Sequence, residues 1–147
     1  MTTKSIFLSV AILASTVLFG QNITATQVPA QVYQAMQTKF PNATNLTWEM
    51  AQGYYVPVFK LSAVETAALI DLKGHVIQSE TRLKPADLPV AATAYISQKY
   101  PNASISKVAK VLTSASNTRY VATVSGSTLV FDANGAFTNI NSGPVVY

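Results

Sequence analysis

The sequence predicts an α+β fold built by tandem duplication, each repeat being one helix followed by a four-stranded antiparallel meander. Three observations carry that expectation. Lys39-Phe-Pro-Asn-Ala-Thr44 recurs as Lys99-Tyr-Pro-Asn-Ala-Ser104, sixty residues on. Tyr55-Val56 recurs as Tyr120-Val121, and Leu69-Ile-Asp71 with Gly74 recurs as Val130-Phe-Asp132 with Gly135. Between these landmarks lie short apolar runs punctuated by turn residues, the signature of hairpins.

The N-terminus comes first. Lys4 precedes an apolar run from Ile6 to Phe19, and Gly20 and Ala25 are small residues suited to cleavage. Residues 1–20 therefore read as an export signal, cut near 20 or 25, and the apolar run is too short for the ~20 residues a bilayer span requires. No stable membrane span is expected once the signal is removed. Localisation is expected to be periplasmic or secreted.

Repeat 1 is assigned to residues 28–84 and repeat 2 to 88–141, joined at Lys84-Pro85-Ala86-Asp87. Val28, Val32, Met36 and Phe40 step by four, as do Leu88, Ala92, Ile96 and Tyr100, so each helix has one apolar stripe. Pro29 and Pro89 mark the helix starts, and Pro41 and Pro101 mark the ends. Strands follow at 44–52, 54–62, 66–72 and 75–82, then at 104–113, 119–125, 127–133 and 136–141. Asn134-Gly135 between apolar runs is a strong hairpin signal. A unit of about 55 residues buries too little surface to stand alone, so the two repeats are expected to share an interface.

Composition excludes more than it assigns. The 147 residues include no cysteine and a single histidine, His75. Disulfides, thiol nucleophiles, cysteine-ligated metals and histidine-rich metal sites are thereby ruled out. The net charge of +4 reflects few acids rather than a basic stripe, because the ten Lys and Arg are scattered. Nucleic-acid binding, which concentrates positive charge, is not expected. Serines are numerous, but no Gly-x-Ser-x-Gly elbow and no nucleotide-binding glycine pattern occurs. Glu49, Glu65 and Glu80 fall on different strands with no motif joining them as acid and base. Asp71 and Asp132 lack the dense oxygen series of a calcium loop and read as turn residues bonding nearby amides. His75 reads as a solvent-facing turn residue, and Trp48, alternating with Leu46 and Met50, reads as core. No catalytic residue, metal or cofactor is expected, and the protein is not expected to be an enzyme.

The helix ending in Lys-Phe/Tyr-Pro-Asn-Ala, the segment Leu46-Thr-Trp48-Glu49, the Tyr55 to Phe59 strand and the Asp-x-x-Gly hairpins at Asp71 and Asp132 together resemble the PepSY-like family. That family groups exported bacterial proteins and is similar to the β-lactamase inhibitor protein fold. The resemblance spans residues 28 to about 140. It implies a tandem helix-plus-sheet architecture and a non-catalytic binding or inhibitory role, with no catalytic residues to carry over.

The chain departs from the family where strands would alternate apolar residues with Glu or Lys. Val56, Val58, Leu69, Val121 and Val130 stand at those positions instead. Only 11% of residues are charged, against roughly 25% in ordinary soluble domains. An apolar sheet face left in water usually marks an interface. These five residues are the candidate binding positions, for a protein or peptide partner. The alternative expectation is a structural, envelope-associated protein that self-associates through the same face.

Overall fold

A computed structural model describes residues 21–141. The expected signal segment, residues 1–20, lies outside the described residues. In chain order the elements are β1 (Gln21–Ile23), α1 (Ala30–Lys39), β2 (Thr44–Ala51), β3 (Tyr54–Leu61), β4 (Val64–Ile70), β5 (Val76–Leu83), α2 (Val90–Lys99), β6 (Ile105–Thr113), β7 (Thr118–Val124), β8 (Ser127–Phe131) and β9 (Phe137–Asn141). One short 3-10 turn leads into each helix, at Ala25–Gln27 and Pro85–Asp87. All nine strands form a single antiparallel sheet in sequence order.

Each helix starts after its proline. The carbonyl of Pro29 accepts from the amides of Val32 and Tyr33, and that of Pro89 from Ala92 and Thr93. Each ends at its aromatic residue, where Phe40 and Tyr100 leave helical geometry at φ −130° immediately before a proline. The apolar stripes pack onto one face of the sheet. Val28, Val32 and Met36 bury against Trp48, Tyr55, Phe59, Ala68 and Ile70. Leu88, Ala92 and Ile96 bury against Val108, Ala122, Val124, Leu129 and Phe131. Phe40 is only half-buried, its ring 4.8 Å from that of Phe59.

The duplication is visible in the register. Tyr55 faces Ile70 and Tyr120 faces Phe131. A bulge falls at the same place in both repeats: between Leu69 and Ile70 opposite β5, and between Val130 and Phe131 opposite β9. The Asp-x-x-Gly turns are also copies. Oδ1 of Asp71 accepts from the amides of Lys73 and His75 at 2.9 and 2.8 Å. Oδ1 of Asp132 accepts from Asn134 and Ala136, both at 2.9 Å. Both aspartates therefore do the turn chemistry that their sequence context implies.

The repeats share more than packed surfaces. β5 pairs with β6 from Gln78↔Thr113 to Leu83↔Val108, so backbone hydrogen bonds run unbroken from one repeat into the other. A strand absent from the sequence expectation is β1, which adds to β2 through Gln21↔Met50 and Ile23↔Trp48.

Candidate interaction face

Both helices cover the same side of the sheet, and among the described residues no helix lies on the other side. Strand alternation decides which side chains lie there. Val56, Ala67 and Leu69 form one buried cluster, with Val58, Tyr54, Ala51 and Ile77 packed against it. Ala109, Val111, Val121 and Val130 form a second. The five candidate positions thus share one face but divide between two patches: Val56, Val58 and Leu69 on repeat 1, Val121 and Val130 on repeat 2. Val56, Leu69, Val121 and Val130 are at most 3% exposed, and Val58 is half-buried. They are closely packed positions rather than a bare surface.

Between the patches runs β5. Its residues Gln78, Glu80 and Arg82 lie on the helix-free face, since Glu80 stands opposite Ala67 on one side and Val111 on the other. Gln78 is 8% exposed and Glu80 only 2%. Oε2 of Glu80 has no hydrogen-bond partner. Burial among apolar neighbours pushes its carboxyl up to about 7. Arg82 is occupied elsewhere: its Nη1 lies 2.6 Å from Oε2 of Glu65. Both partners of that pair are about half exposed, so the pair contributes little to stability. At this end the face opens into a groove of about 480 Å3 lined by Lys60, Glu65, Arg82, Lys84 and Asp87 among others.

No motif in the sequence ties Glu80 to another acid. The signal that could have singled it out is positional. Gln78, Glu80 and Arg82 keep the phase of Leu69 and Val121 on the one strand flanked by both patches. Glu49 and Glu65 lie on the same face, opposite Val56 and Lys60 respectively. The expected scarcity of charge therefore holds for the two patches but not for their surroundings.

The remaining candidates take structural places. Trp48 is buried under α1, with its ring 6.0 Å from that of Tyr33, and offers no platform to a ligand. His75 is exposed at the hairpin, its Nδ1 2.8 Å from Oδ2 of Asp71. The His75 amide is the main reason the Asp71 carboxyl lies below its ordinary value. Among the described residues, no helix is long and apolar enough to cross a membrane.

No family model matches the chain, and no curated protein matches it in sequence. Solved structures do. A BLIP-like protein from Bacteroides fragilis NCTC 9343 is 26% identical over 77% of this chain and 84% of that chain, with a TM-score of 0.67. A DUF2874 family protein from Bacteroides uniformis ATCC 8492 is 18% identical over 77% and 88%, with a TM-score of 0.71. A protein from Bacteroides eggerthii DSM 20697, assigned to the periplasm by inference, is 16% identical over 78% and 88%, with a TM-score of 0.72. The chain has the BLIP-like α+β fold of these proteins. The inhibitor-protein side of the sequence resemblance is met in architecture, while none of these structures is described as PepSY-like.

Proposed function

We propose that the chain is an exported, non-enzymatic binding module that recognises a protein or peptide through the helix-free face of its sheet. The observation that carries this reading is the face itself. Two apolar patches flank a buried carboxyl oxygen without a partner, on the side of the sheet opposite α1 and α2. An unpaired buried polar group costs about 1–3 kcal/mol, a cost that a donor brought by a partner would relieve. Export is supported by the signal-like residues 1–20 and by one structural relative described as periplasmic. A BLIP-like relative adds to the case for protein binding, although architecture alone does not transmit a partner.

The test is affinity capture from a periplasmic extract with wild type, Val58→Glu, and Val58→Glu combined with Leu69→Glu. Val58 is half-buried, so the single variant keeps the fold, as circular dichroism would verify. A discrete captured protein that the folded single variant loses supports recognition through this face. An unchanged capture profile from folded variants removes it. Loss of self-association alone favours the assembly alternative.

A further inference from the structure

We propose that a cleft between the β6–β7 and β8–β9 turns binds a neutral polyhydroxylated ligand, the chemistry of a sugar, at Arg119 and Asp132. This goes beyond the reading of the helix-free face and does not depend on it.

The duplication supplies the comparison. Tyr55 pairs with Ile70 and Tyr120 with Phe131, so Tyr54 and Asp71 in repeat 1 occupy the places of Arg119 and Asp132 in repeat 2. Each pair lines a cleft at the same end of its repeat, of about 410 Å3 in the first and 430 Å3 in the second. In repeat 1 the aspartate is used up within its own turn. Oδ1 of Asp71 accepts from two backbone amides, and Oδ2 lies 2.8 Å from Nδ1 of His75. Repeat 2 has Ala136 in place of His75 and Arg119 in place of Tyr54. Oδ1 of Asp132 still accepts from its two amides, which hold the carboxyl in its turn. Its Oδ2 has no partner among the described residues, and neither has the Arg119 guanidinium. Both side chains are half-buried. One copy of the cleft has closed its carboxylate, and the other has opened it beside a cation.

The lining then selects the ligand. Asn117, Thr118, Asn134 and Thr138 add amide and hydroxyl groups to Arg119 and Asp132, and Ala133 is the one apolar residue of the cleft. An anion drawn to Arg119 would meet Asp132, and a cation drawn to Asp132 would meet Arg119. A neutral ligand avoids both penalties. Hydroxyl groups donate and accept alike, so a polyol can accept from the planar fork of Arg119 while donating to Oδ2 of Asp132. The amides of Asn117 and Asn134 answer further hydroxyls. A free amino acid would satisfy the two charges and leave those amides unanswered. The cleft is open and has no aromatic ring in its lining to stack on, so the affinity expected is millimolar.

Titration with D-glucose, D-galactose and D-mannose tests this, followed by backbone amide NMR on the chain as recovered from the periplasm of an expressing host. At least one of the three sugars should give saturable shifts at the amides of Asn134 and Ala136, with none at Lys73 and His75 in the sister turn. Arg119→Gln should weaken that binding about tenfold. Ala136→His, which sets a histidine against Asp132 as in repeat 1, should abolish it. The amide spectra of the free variants verify that both fold. No saturable shift with any of the three sugars overturns the proposal. Equal shifts at both turns, or undiminished binding by folded Ala136→His, overturn it as well. Saturable binding of glycine or acetate at the same amides, in place of the sugars, overturns the neutral ligand class. None of these failures touches the reading of the helix-free face, which is tested at Val58 and Leu69.

Discussion

The side-chain amide of Gln31 donates to the carbonyl oxygen of Leu72 at 2.7 Å, fastening the first turn of α1 to the hairpin between β4 and β5. The same contact brings Gly74 against the helix. A Cβ built there would lie 2.9 Å from the Gln31 carbonyl oxygen, at a φ of +86°. In repeat 2, a Cβ at Gly135 would lie 2.6 Å from Cβ of Pro89 and 2.9 Å from the Ala92 amide. Gly74→Ala and Gly135→Ala should each cost about 2–4 kcal/mol, from left-handed strain and from the clash together. Gly53→Ala, where φ is +81° but nothing lies within 4 Å, should cost only the strain, about 1–2 kcal/mol. Urea denaturation of the three variants separates the two effects. Equal losses at all three sites would show that the helix contact contributes nothing.

The turn between β3 and β4 uses unsuitable residues. Leu61 pairs with Val64, and the two residues between them, Ser62 and Ala63, both have positive φ, at 48° and 67°. The corresponding turn of repeat 2 has Ser125 and Gly126. Left-handed geometry penalises alanine and not glycine. Ala63→Gly should therefore stabilise the fold by about 0.5–1 kcal/mol, read as an upward shift of the urea midpoint with an unchanged slope.

Glu80 makes stability fall with rising pH. Its carboxyl titrates near 4.5 when unfolded and near 7 when folded. Between those values the folded chain holds a proton that the unfolded chain has released, so the unfolding free energy declines by up to about 1.4 kcal/mol per pH unit. The contribution is complete below the unfolded value and is lost by the time the pH has passed about 7. Asp71 acts in the opposite sense, and its contribution disappears only as the pH falls below 3.8. Denaturation between pH 4.5 and 8 should show the decline in wild type and a flatter profile in Glu80→Gln. The variant should be the more stable protein at pH 8, by up to about 3 kcal/mol. Parallel profiles would mean that Glu80 titrates alike in both states.

Export is checked on the protein from its native host. Intact mass should correspond to a chain beginning near Gln21 or Thr26. Recovery of Met1 to Tyr147 from the cytoplasm would refute the assignment of residues 1–20.

Patterns that repeat or alternate are legible in the sequence alone. The Lys-Phe/Tyr-Pro-Asn-Ala and Asp-x-x-Gly landmarks placed helix ends and hairpins. The phase of Val56, Val58, Leu69, Val121 and Val130 put them on one face, as the pairing shows. What escaped depends on neighbours rather than on local composition. Gln21–Ile23 has no alternation and becomes a strand only because β2 offers an unpaired edge. Ser62-Ala63 carries no glycine or asparagine to announce a turn. Glu80 sits in a polar run, Gln78 to Arg82, that reads as solvated. Its burial follows from the valines and alanines that β4 and β6 bring alongside. The division of the apolar face into two patches has the same origin.

The strand order has a kinetic consequence. Each strand of the sheet pairs only with its predecessor and its successor in the chain. Most pairings therefore close over a tight turn, which costs little chain entropy and favours rapid folding. Two joints differ, β1 to β2 and β5 to β6, because a helix must be threaded into the connection before the strands can meet. The first of these joins only three residues at an edge. The second is where two nearly finished halves must find a common register, so β5 and β6 are where the rate-limiting step of folding belongs. Substitutions at Leu83 or Val108 should slow folding there more than equally destabilising changes within either hairpin.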